Sequence, residues 1–212
     1  MKSYPNRPVS RSFGFDRGQP VDRYFIDQFL EKNKVHITGE LLEIGDASYS
    51  KKFGRDVESF DVLDIKEHEE VTLIGNLETG ENLPSNRFDC FILTQVIHLL
   101  YDLKGASEMA MDVLKPGGTL LVTVPGISQS CKTKTYGDYW RFTNMSLKRL
   151  FQDLEVVESV DVSSYGNLPT AQAFLEGRAS HELNRSAFSF HDPHYEVIMG
   201  AVIKKSDEIH GS

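Results

Sequence analysis

Apolar positions along the chain follow two spacings, one typical of helices and one typical of buried strands. Val21, Phe25 and Phe29 recur every fourth position after a proline, which predicts an amphipathic helix over residues 19–33. Two more helices are predicted, one with its apolar face between Leu103 and Leu114 and one over residues 146–154. Short apolar runs predict seven strands, at residues 39–45, 57–65, 69–77, 88–97, 119–125, 155–164 and 194–205.

The order of these elements predicts an α/β fold with a doubly wound, mostly parallel sheet of about seven strands. The last two strands follow each other with no predicted helix between them, so they could form an antiparallel edge. Only KEHEE separates strands two and three, which is too short for a crossover helix, and we expect a shortened connection there. The helix after strand four is expected to stop at residues 115–118, KPGG.

Length and composition limit the classes of protein to which this chain can belong. The 212 residues fit one domain at residues 19–205, with an arm at 1–18 that could serve as a lid and a tail at 206–212. The net charge of −8 disfavours a bulk electrostatic hold on nucleic acid or anionic membranes. Two cysteines are too few for a disulfide framework, and the N-terminus carries no apolar signal segment. We therefore expect a cytoplasmic protein; its oligomeric state is left open.

Polar residues and glycines follow the predicted strands at the edge where open parallel sheets bind ligands. Gly45 after strand one lets the backbone approach a ligand, Asp64 at the end of strand two can accept ribose hydroxyls, and Asn76 after strand three can recognise adenine. The chain has neither the G-x-G-x-x-G nor the GxxxxGK[ST] pattern that holds a pyrophosphate or triphosphate. The layout favours an adenosine-containing ligand and disfavours NAD, FAD and ATP.

Three segments within residues 39–125 carry a family resemblance: ELLEIG, NLETGENLPSNRFDCFILTQVIHLL and LKPGGTLLVTVPG. As a set they resemble class I S-adenosylmethionine-dependent methyltransferases of the type 11 kind. Residues 13–24 and 137–143 are similar to small bacterial methyltransferases found beside glycosyltransferase and secondary-metabolite genes. The resemblance implies S-adenosyl-L-methionine as cofactor and methyl transfer to an oxygen or nitrogen of a small-molecule acceptor, for example a sugar or a secondary metabolite.

The resemblance also implies cofactor-binding residues. Glu43 and Gly45 match the start of the E-x-G-x-G-x-G loop, whose later glycines are replaced by Ala47 and Tyr49. The Asn-Pro-Pro-Tyr signature of base methylation is absent, which argues against DNA or RNA bases as acceptors. Asp61 and Asp64 remain alternatives for the ribose, with Asp64 favoured because it is nearer the strand end. Arg17 is a separate candidate, because an arm that folds over the cofactor could pair Arg17 with the cofactor carboxylate. The full predicted set is Arg17, Glu43, Gly45, Asp46, Asp61, Asp64, Asn76, Leu77, Thr94, Gln95 and Val96.

Catalytic and acceptor-binding residues are predicted beyond strands four and five. His98 and Asp138 could act as general bases, and a histidine pKa suits neutral pH. Aromatic and charged residues around the single tryptophan could bind the acceptor: Tyr136, Tyr139, Trp140 and Arg141. We expect no metal, although two histidines flank residues 192–193. The alternatives are a non-catalytic binding module with a degenerate cofactor loop, another reaction on the same fold, and a methyltransferase acting on protein.

Overall fold

A single seven-stranded sheet organises the protein. The computed structural model describes residues 6–132 and 137–207. Its strands are β1 (Gly39–Ile44), β2 (Val57–Asp64), β3 (Leu73–Ile74), β4 (Phe88–Thr94), β5 (Leu114–Pro125), β6 (Val157–Tyr165) and β7 (Ile198–Lys205). They lie in the order β3-β2-β1-β4-β5-β7-β6. Strands β1 to β5 are parallel, and β7 pairs antiparallel with both β5 and β6, so the predicted doubly wound sheet with an antiparallel edge is confirmed.

Helices cover both faces of this sheet. They are α1 (Val21–Asn33), α2 (Ser48–Phe53), α3 (Leu103–Asp112), α4 (Asn144–Gln152) and α5 (Leu168–Glu176). Successive strand residues point to opposite faces, so Leu41 and Leu42 of β1 enter different cores. One core receives side chains from α3 and α4, and the other from α1, α2 and α5. None of the helices in the described part of the chain is long and apolar enough to span a membrane.

The region between β2 and β3 is shortened, as predicted. Residues 65–72 contain no helix, and β3 reaches only two residues where the sequence predicted nine. The pairing is nevertheless parallel, with Leu63 opposite Leu73 and Asp64 opposite Ile74. A two-residue edge strand offers little unpaired backbone to another chain, which limits edge-to-edge association.

Two helix predictions were wrong in detail. Helix α3 ends at Asp112, and the KPGG segment already belongs to β5, with Leu114 paired opposite Phe88. The prediction that no helix separates the last two strands was wrong, because α5 lies between β6 and β7. Its ends carry ordinary signals: Asn167 and Thr170 form a capping box, and Gly177 ends the helix in the left-handed region at φ 75°.

The described part of the N-terminal arm packs against α5. The backbone N–H groups of Val9 and Ser10 donate to the carbonyl oxygen of Glu176 at 2.8 and 3.2 Å. The ring of Phe13 lies 6.2 Å from the ring of Phe174. Of the predicted tail, residues 208–212 lie outside the described residues, and the backbone N–H of Ser206 donates to the carbonyl of Val156. A lid role for the arm stays a prediction.

Candidate active site

The carboxyl ends of β1, β2 and β4 meet at one edge, where the strand order reverses between β1 and β4. Gly45 follows β1, Asp64 is the last residue of β2 and Thr94 is the last residue of β4. The N–H of Gly45 donates to the carbonyl of Leu63 at 3.0 Å, which ties the first loop to the neighbouring strand. Open parallel sheets bind ligands in the crevice at this position.

The Glu43 side chain connects the end of β1 to the start of α2 and so holds the loop between them in place. Its side chain is buried, and its two oxygens accept hydrogen bonds from the N–H groups of Tyr49 and Ser50 at 3.0 and 2.7 Å. Burial raises the pKa of the Glu43 carboxyl to about 6, and the hydrogen bonds from Ser50 and Tyr49 oppose that rise. These are the N–H groups of the second and third residues of α2, which have no partner within the helix. The side chain therefore fixes where α2 starts.

Gly45 lies at the sheet edge beside space that no protein atom fills. Its φ is +85°, and a Cβ built at this position would meet no atom within 4 Å. Of the glycines described with positive φ, the others would place a Cβ close to protein atoms, for example Gly39 against Asp89 at 2.4 Å. Asp46 is exposed beside it, and its carboxylate accepts hydrogen bonds from the backbone and hydroxyl of Ser48.

Gln95 turns the chain sharply after β4. It adopts φ 54°, a left-handed conformation that few non-glycine residues take. Its N–H donates to the carbonyl of Thr123 at 2.9 Å, and its side-chain amide lies 3.4 Å from the Thr123 hydroxyl. Such strain is retained where the surrounding structure enforces it, often at functional sites. Thr94 ends β4 at this edge, Gln95 forms the turn, and Val96 packs against the core.

The two candidate ribose acids lie in different surroundings. Asp61 is three residues before the end of β2, and its carboxylate is bonded to the guanidinium of Arg87 and to the Thr72 hydroxyl. Asp64 is at the strand end; one oxygen accepts the N–H of Lys66 and the other lies 3.6 Å from the His68 ring. The structure brings Asp64, and not Asp61, to the crevice edge.

Asn76 and Leu77 follow β3 as predicted for an adenine-contacting pair. Asn76 is half-buried, and its side-chain oxygen accepts the N–H of Glu78 at 2.8 Å. Its backbone N–H donates to the carbonyl of Glu81. The Leu77 side chain is buried in the core, so only its backbone could contact a ligand.

A cavity of about 220 Å³ opens beside the ends of β4 and β5. Residues of the N-terminal arm, α1 and α5 form part of its wall. The ends of β4 and β5 and the loops that follow them form the rest. Its lining residues are Phe13, Phe15, Asp22, Arg23, Gln95, His98, Leu99, Pro125, Ser128, Cys131, Asp138, Arg141 and Phe174. The mixture of aromatic walls with a few convergent charged groups is typical of small-molecule sites.

His98 brings an unsatisfied nitrogen to this cavity. The side chain is only 8% exposed, and its Nδ1 is buried with no hydrogen-bond partner among the described residues. Burial lowers the pKa of the imidazole to about 4, with a smaller lowering by Arg141 and Arg23 and an opposing effect of Asp138. The ring is therefore neutral at pH 7. A buried polar atom without a partner is costly and needs an explanation, such as a ligand group that bonds to it.

Asp138 and Arg141 form a closed ion pair on the cavity wall. The guanidinium donates to both carboxylate oxygens, at 2.5 and 2.9 Å, and also to the carbonyls of Gln129 and Trp140. The N–H of Cys131 adds a third bond to the carboxylate at 2.7 Å. The hydrogen bond from Arg141 lowers the pKa of Asp138 below its usual value. Such a carboxylate is a poor proton acceptor, so its evident role is to hold the loop.

Arg23 is a cavity residue that the sequence did not single out. Its guanidinium donates to buried Asp22 at 2.7 Å and lies over the ring of Phe15 at 5.3 Å. Its positive charge acts to lower the pKa of both Tyr49 in α2 and His98, which places Arg23 within electrostatic reach of both side chains. The available signal was Asp22, a charged residue on the apolar face of α1 with Phe25 and Ile26.

The structure brings some predicted residues to the cavity and not others. Arg17 is bonded to Glu182 through two nitrogens, with Nε at 2.9 Å, and does not line the cavity. Tyr139 and Trp140 lie next to the lining residues but point outward and are 53% and 37% exposed. Tyr136 lies outside the described residues. Within residues 6–132 and 137–207, no group of three or more His, Cys, Asp or Glu side chains could hold a metal ion.

Known structures share this architecture at low sequence identity. The N-methyltransferase NodS from Bradyrhizobium japonicum WM9, solved with S-adenosyl-L-homocysteine, superposes with a TM-score of 0.56 at 12% identity over 94% of each chain. A SAM-dependent methyltransferase from Archaeoglobus fulgidus gives a TM-score of 0.56 at 15% identity, over 93% of this chain and all of the other. The [4+2]-cyclase SpnF gives 0.58 at 14% identity, over 91% and 84%. The fold alone therefore does not fix the reaction.

The sequence carries a more direct indication. Residues 42–122 match a family model described as a methyltransferase domain. No curated protein matches the chain at a significant level. The matched segment runs from β1 to β5 and includes the loops after β1, β2, β3 and β4 that surround the crevice. Residues 42–122 are therefore similar to a methyltransferase domain, and the whole chain shares the fold of the SAM-dependent methyltransferases named above.

Proposed function

We propose that the chain transfers a methyl group from S-adenosyl-L-methionine to an oxygen or nitrogen of a small acceptor that binds in the cavity beside His98. The observation that carries the proposal is the buried Nδ1 of His98, which has no hydrogen-bond partner among residues 6–132 and 137–207 and belongs to a residue that lines the cavity. A neutral ring nitrogen accepts a hydrogen bond from a hydroxyl or an amine. The cavity volume suits a small acceptor or the reacting end of a longer one.

The residues at the strand ends fit this cofactor. The vacant space over Gly45 would admit the methionine portion, Asp64 would accept the ribose hydroxyls and Asn76 would face the adenine. Thr94 and Gln95 would lie beside the methionine and adenosine portions of the cofactor. When bound, the cofactor supplies a methyl group on a positively charged sulfur, which an acceptor lone pair attacks in line.

His98 would orient the acceptor and, where the acceptor atom is an oxygen, take its proton as the new bond to the methyl group makes that oxygen strongly acidic. Because the pKa of His98 is lowered to about 4, the imidazole is already deprotonated at neutral pH and ready to accept a hydrogen bond. Its carbonyl oxygen accepts the N–H groups of Tyr139 and Trp140 at 3.1 and 3.2 Å, which holds the residue in place. Holding the two reactants about 3 Å apart in line would provide most of the acceleration. Asp138 would act as a positioning residue through its bond to Arg141.

Arg23 would bind the carboxylate at the methionine end of the cofactor, a role that the sequence assigned to Arg17. We expect Arg23→Ala to weaken S-adenosylhomocysteine binding by about 10–100-fold, because a charge-assisted hydrogen bond contributes about 1.5–3 kcal/mol. Methylthioadenosine lacks the amino-acid portion, so its affinity should be unchanged in the same variant. Calorimetric titration of both ligands measures the difference.

Comparing S-adenosylhomocysteine with methylthioadenosine distinguishes the loss of one contact from a general loss of fold. A general loss of fold in Arg23→Ala, for example from the Asp22 carboxylate left buried and unpaired, would weaken both ligands equally. Arg17→Ala serves as the matched control and should leave both affinities unchanged. Equal weakening of S-adenosylhomocysteine in Arg17→Ala and Arg23→Ala would contradict the assignment.

Methyl transfer itself is tested with the full chain and a panel of small alcohols, phenols, sugars and amines. We expect S-adenosylhomocysteine to form only in the presence of an acceptor, and mass spectrometry to find that acceptor carrying one added methyl group on oxygen or nitrogen. A product methylated on carbon, or rearranged without methylation, would overturn the proposal.

A further inference from the structure

Three aromatic side chains form an exposed cluster outside the cavity. Tyr101, Tyr139 and Trp140 are 68%, 53% and 37% exposed. The rings of Tyr101 and Tyr139 are 5.3 Å apart at 70°, and those of Tyr101 and Trp140 are 6.3 Å apart at 33°. We call these three residues the aromatic surface. Large aromatic side chains grouped in water are unusual, and such grouping marks an interaction site.

Hydrogen bonds from the backbone and from the indole ring hold the aromatic surface in place. One oxygen of Glu78 accepts the N–H groups of Tyr101 and Asp102 at 2.9 and 2.8 Å. The indole N–H of Trp140 donates to the carbonyl of Leu100 at 2.9 Å. Rings that are ordered before a ligand arrives lose little entropy on binding it, which favours recognition.

The aromatic surface is also continuous with the cavity. The carbonyl of His98 accepts the N–H groups of Tyr139 and Trp140, while the His98 ring lines the cavity. Asp138 and Arg141 flank the two aromatic residues in the chain and line the same cavity. A molecule whose reacting end occupies the cavity could therefore lay its other end on the rings.

The charges around the rings favour a cationic ligand. The carboxylates of Glu78 and Asp102 adjoin Tyr101, and the whole chain carries a net charge of −8. Two basic side chains of these segments are paired, Arg141 with Asp138 and Lys104 with Glu108 at 3.6 Å. Aromatic faces attract cations through the negative potential above the ring, and tryptophan and tyrosine do so best.

We propose that the aromatic surface binds an organic cation, such as a substituted ammonium group, carried by the part of the acceptor outside the cavity. The assignment of that cation to the acceptor rests on the proposed function, whereas the binding of a cation to the rings does not. A neutral apolar group of the same shape and a sugar ring are the alternatives that the experiment separates from it.

The single tryptophan reports on binding directly, because Trp140 is part of the surface. Choline is titrated against its neutral analogue of the same shape, 3,3-dimethyl-1-butanol, and against glucose, with tryptophan fluorescence as the signal. We expect choline to bind at least about 3-fold more tightly than the neutral analogue. Tyr101→Leu should weaken choline by about 2–5-fold. Glu78→Gln keeps an oxygen for the two N–H groups and should weaken choline alone.

Phe190→Leu is the matched control, since Phe190 is a 65% exposed aromatic residue elsewhere on the chain and should not affect choline. Equal affinity for choline and its neutral analogue, tighter binding of glucose, or no signal up to about 0.1 M choline would overturn the proposal. S-adenosylhomocysteine is titrated into the same proteins. Cofactor binding without choline binding contradicts the cation surface alone, and choline binding without cofactor binding contradicts the proposed function alone.

Discussion

Replacing His98 with alanine is expected to lower kcat for methyl transfer by about 10²–10⁴-fold, the range typical of losing a general base. The affinity for S-adenosylhomocysteine should change by less than about two-fold, because the imidazole contacts the acceptor in our account and not the cofactor. Steady-state kinetics on an acceptor identified in the panel, together with calorimetry, measure the two quantities. The separation between them is the signature of a residue that acts on the acceptor.

The pH dependence offers a second readout of the same residue. Burial lowers the pKa of His98 to about 4, so the imidazole is neutral and able to accept a proton above that value. The rate should therefore stay level from neutral pH down to about pH 5 and fall as the pH passes through 4. A rate that already falls as the pH drops through about 6.5, the ordinary pKa of histidine, would contradict a buried, neutral His98.

His36 is the matched control for His98. Burial also lowers its pKa, but it does not line the cavity. His36→Ala should leave kcat unchanged. A loss of kcat as large as that in His98→Ala would mean that the effect comes from stability, and circular dichroism across the pH range shows whether each protein remains folded.

Replacing Gly45 with arginine is expected to abolish cofactor binding, with a loss of more than about 100-fold in the affinity for S-adenosylhomocysteine. The space above Gly45 is vacant of protein atoms, so the side chain can enter it and would occupy the volume that the cofactor needs. The φ of +85° adds strain of about 1–2 kcal/mol for any residue with a Cβ. Calorimetry and thermal unfolding measure the two effects.

Gly45→Ala separates the strain from the obstruction. Both variants carry the same backbone penalty and should have similar melting temperatures, whereas the arginine variant should bind the cofactor far more weakly than the alanine variant. Unchanged cofactor affinity in Gly45→Arg would show that the loop after β1 is not the binding edge.

The strong periodic segments were predicted correctly, and the elements that depend on tertiary context were not. Helix α1 and strands β1, β4 and β7 have dense apolar patterns, and the structure contains them close to the predicted bounds. Helix α5 was missed because its segment lies between two strands with alternating patterns, although Asn167 and Gly177 mark its ends. Strand β3 is shorter than predicted because the sheet leaves it only two paired residues.

The candidate site shows the same division. Residues placed by strand ends, such as Gly45 and Asp64, lie where the sequence puts them, because parallel strands fix their carboxyl ends at one edge. Residues placed by long-range packing could not be located in that way. Arg17 pairs with Glu182, which is distant in sequence, and the cavity cation comes from α1 instead. The burial that lowers the pKa of His98 also depends on segments far from it along the chain.

The most direct test of the central claim is a calorimetric titration of S-adenosylhomocysteine into the wild-type chain, Asp64→Asn and Asp61→Asn. Our account predicts micromolar binding to wild type, a loss of about 10-fold or more in Asp64→Asn from the weakened ribose hydrogen bonds, and unchanged binding in Asp61→Asn, whose carboxylate pairs with Arg87. No binding at millimolar ligand would contradict the account and favour a non-catalytic binding module. Loss in Asp61→Asn instead would move the cofactor away from the proposed edge.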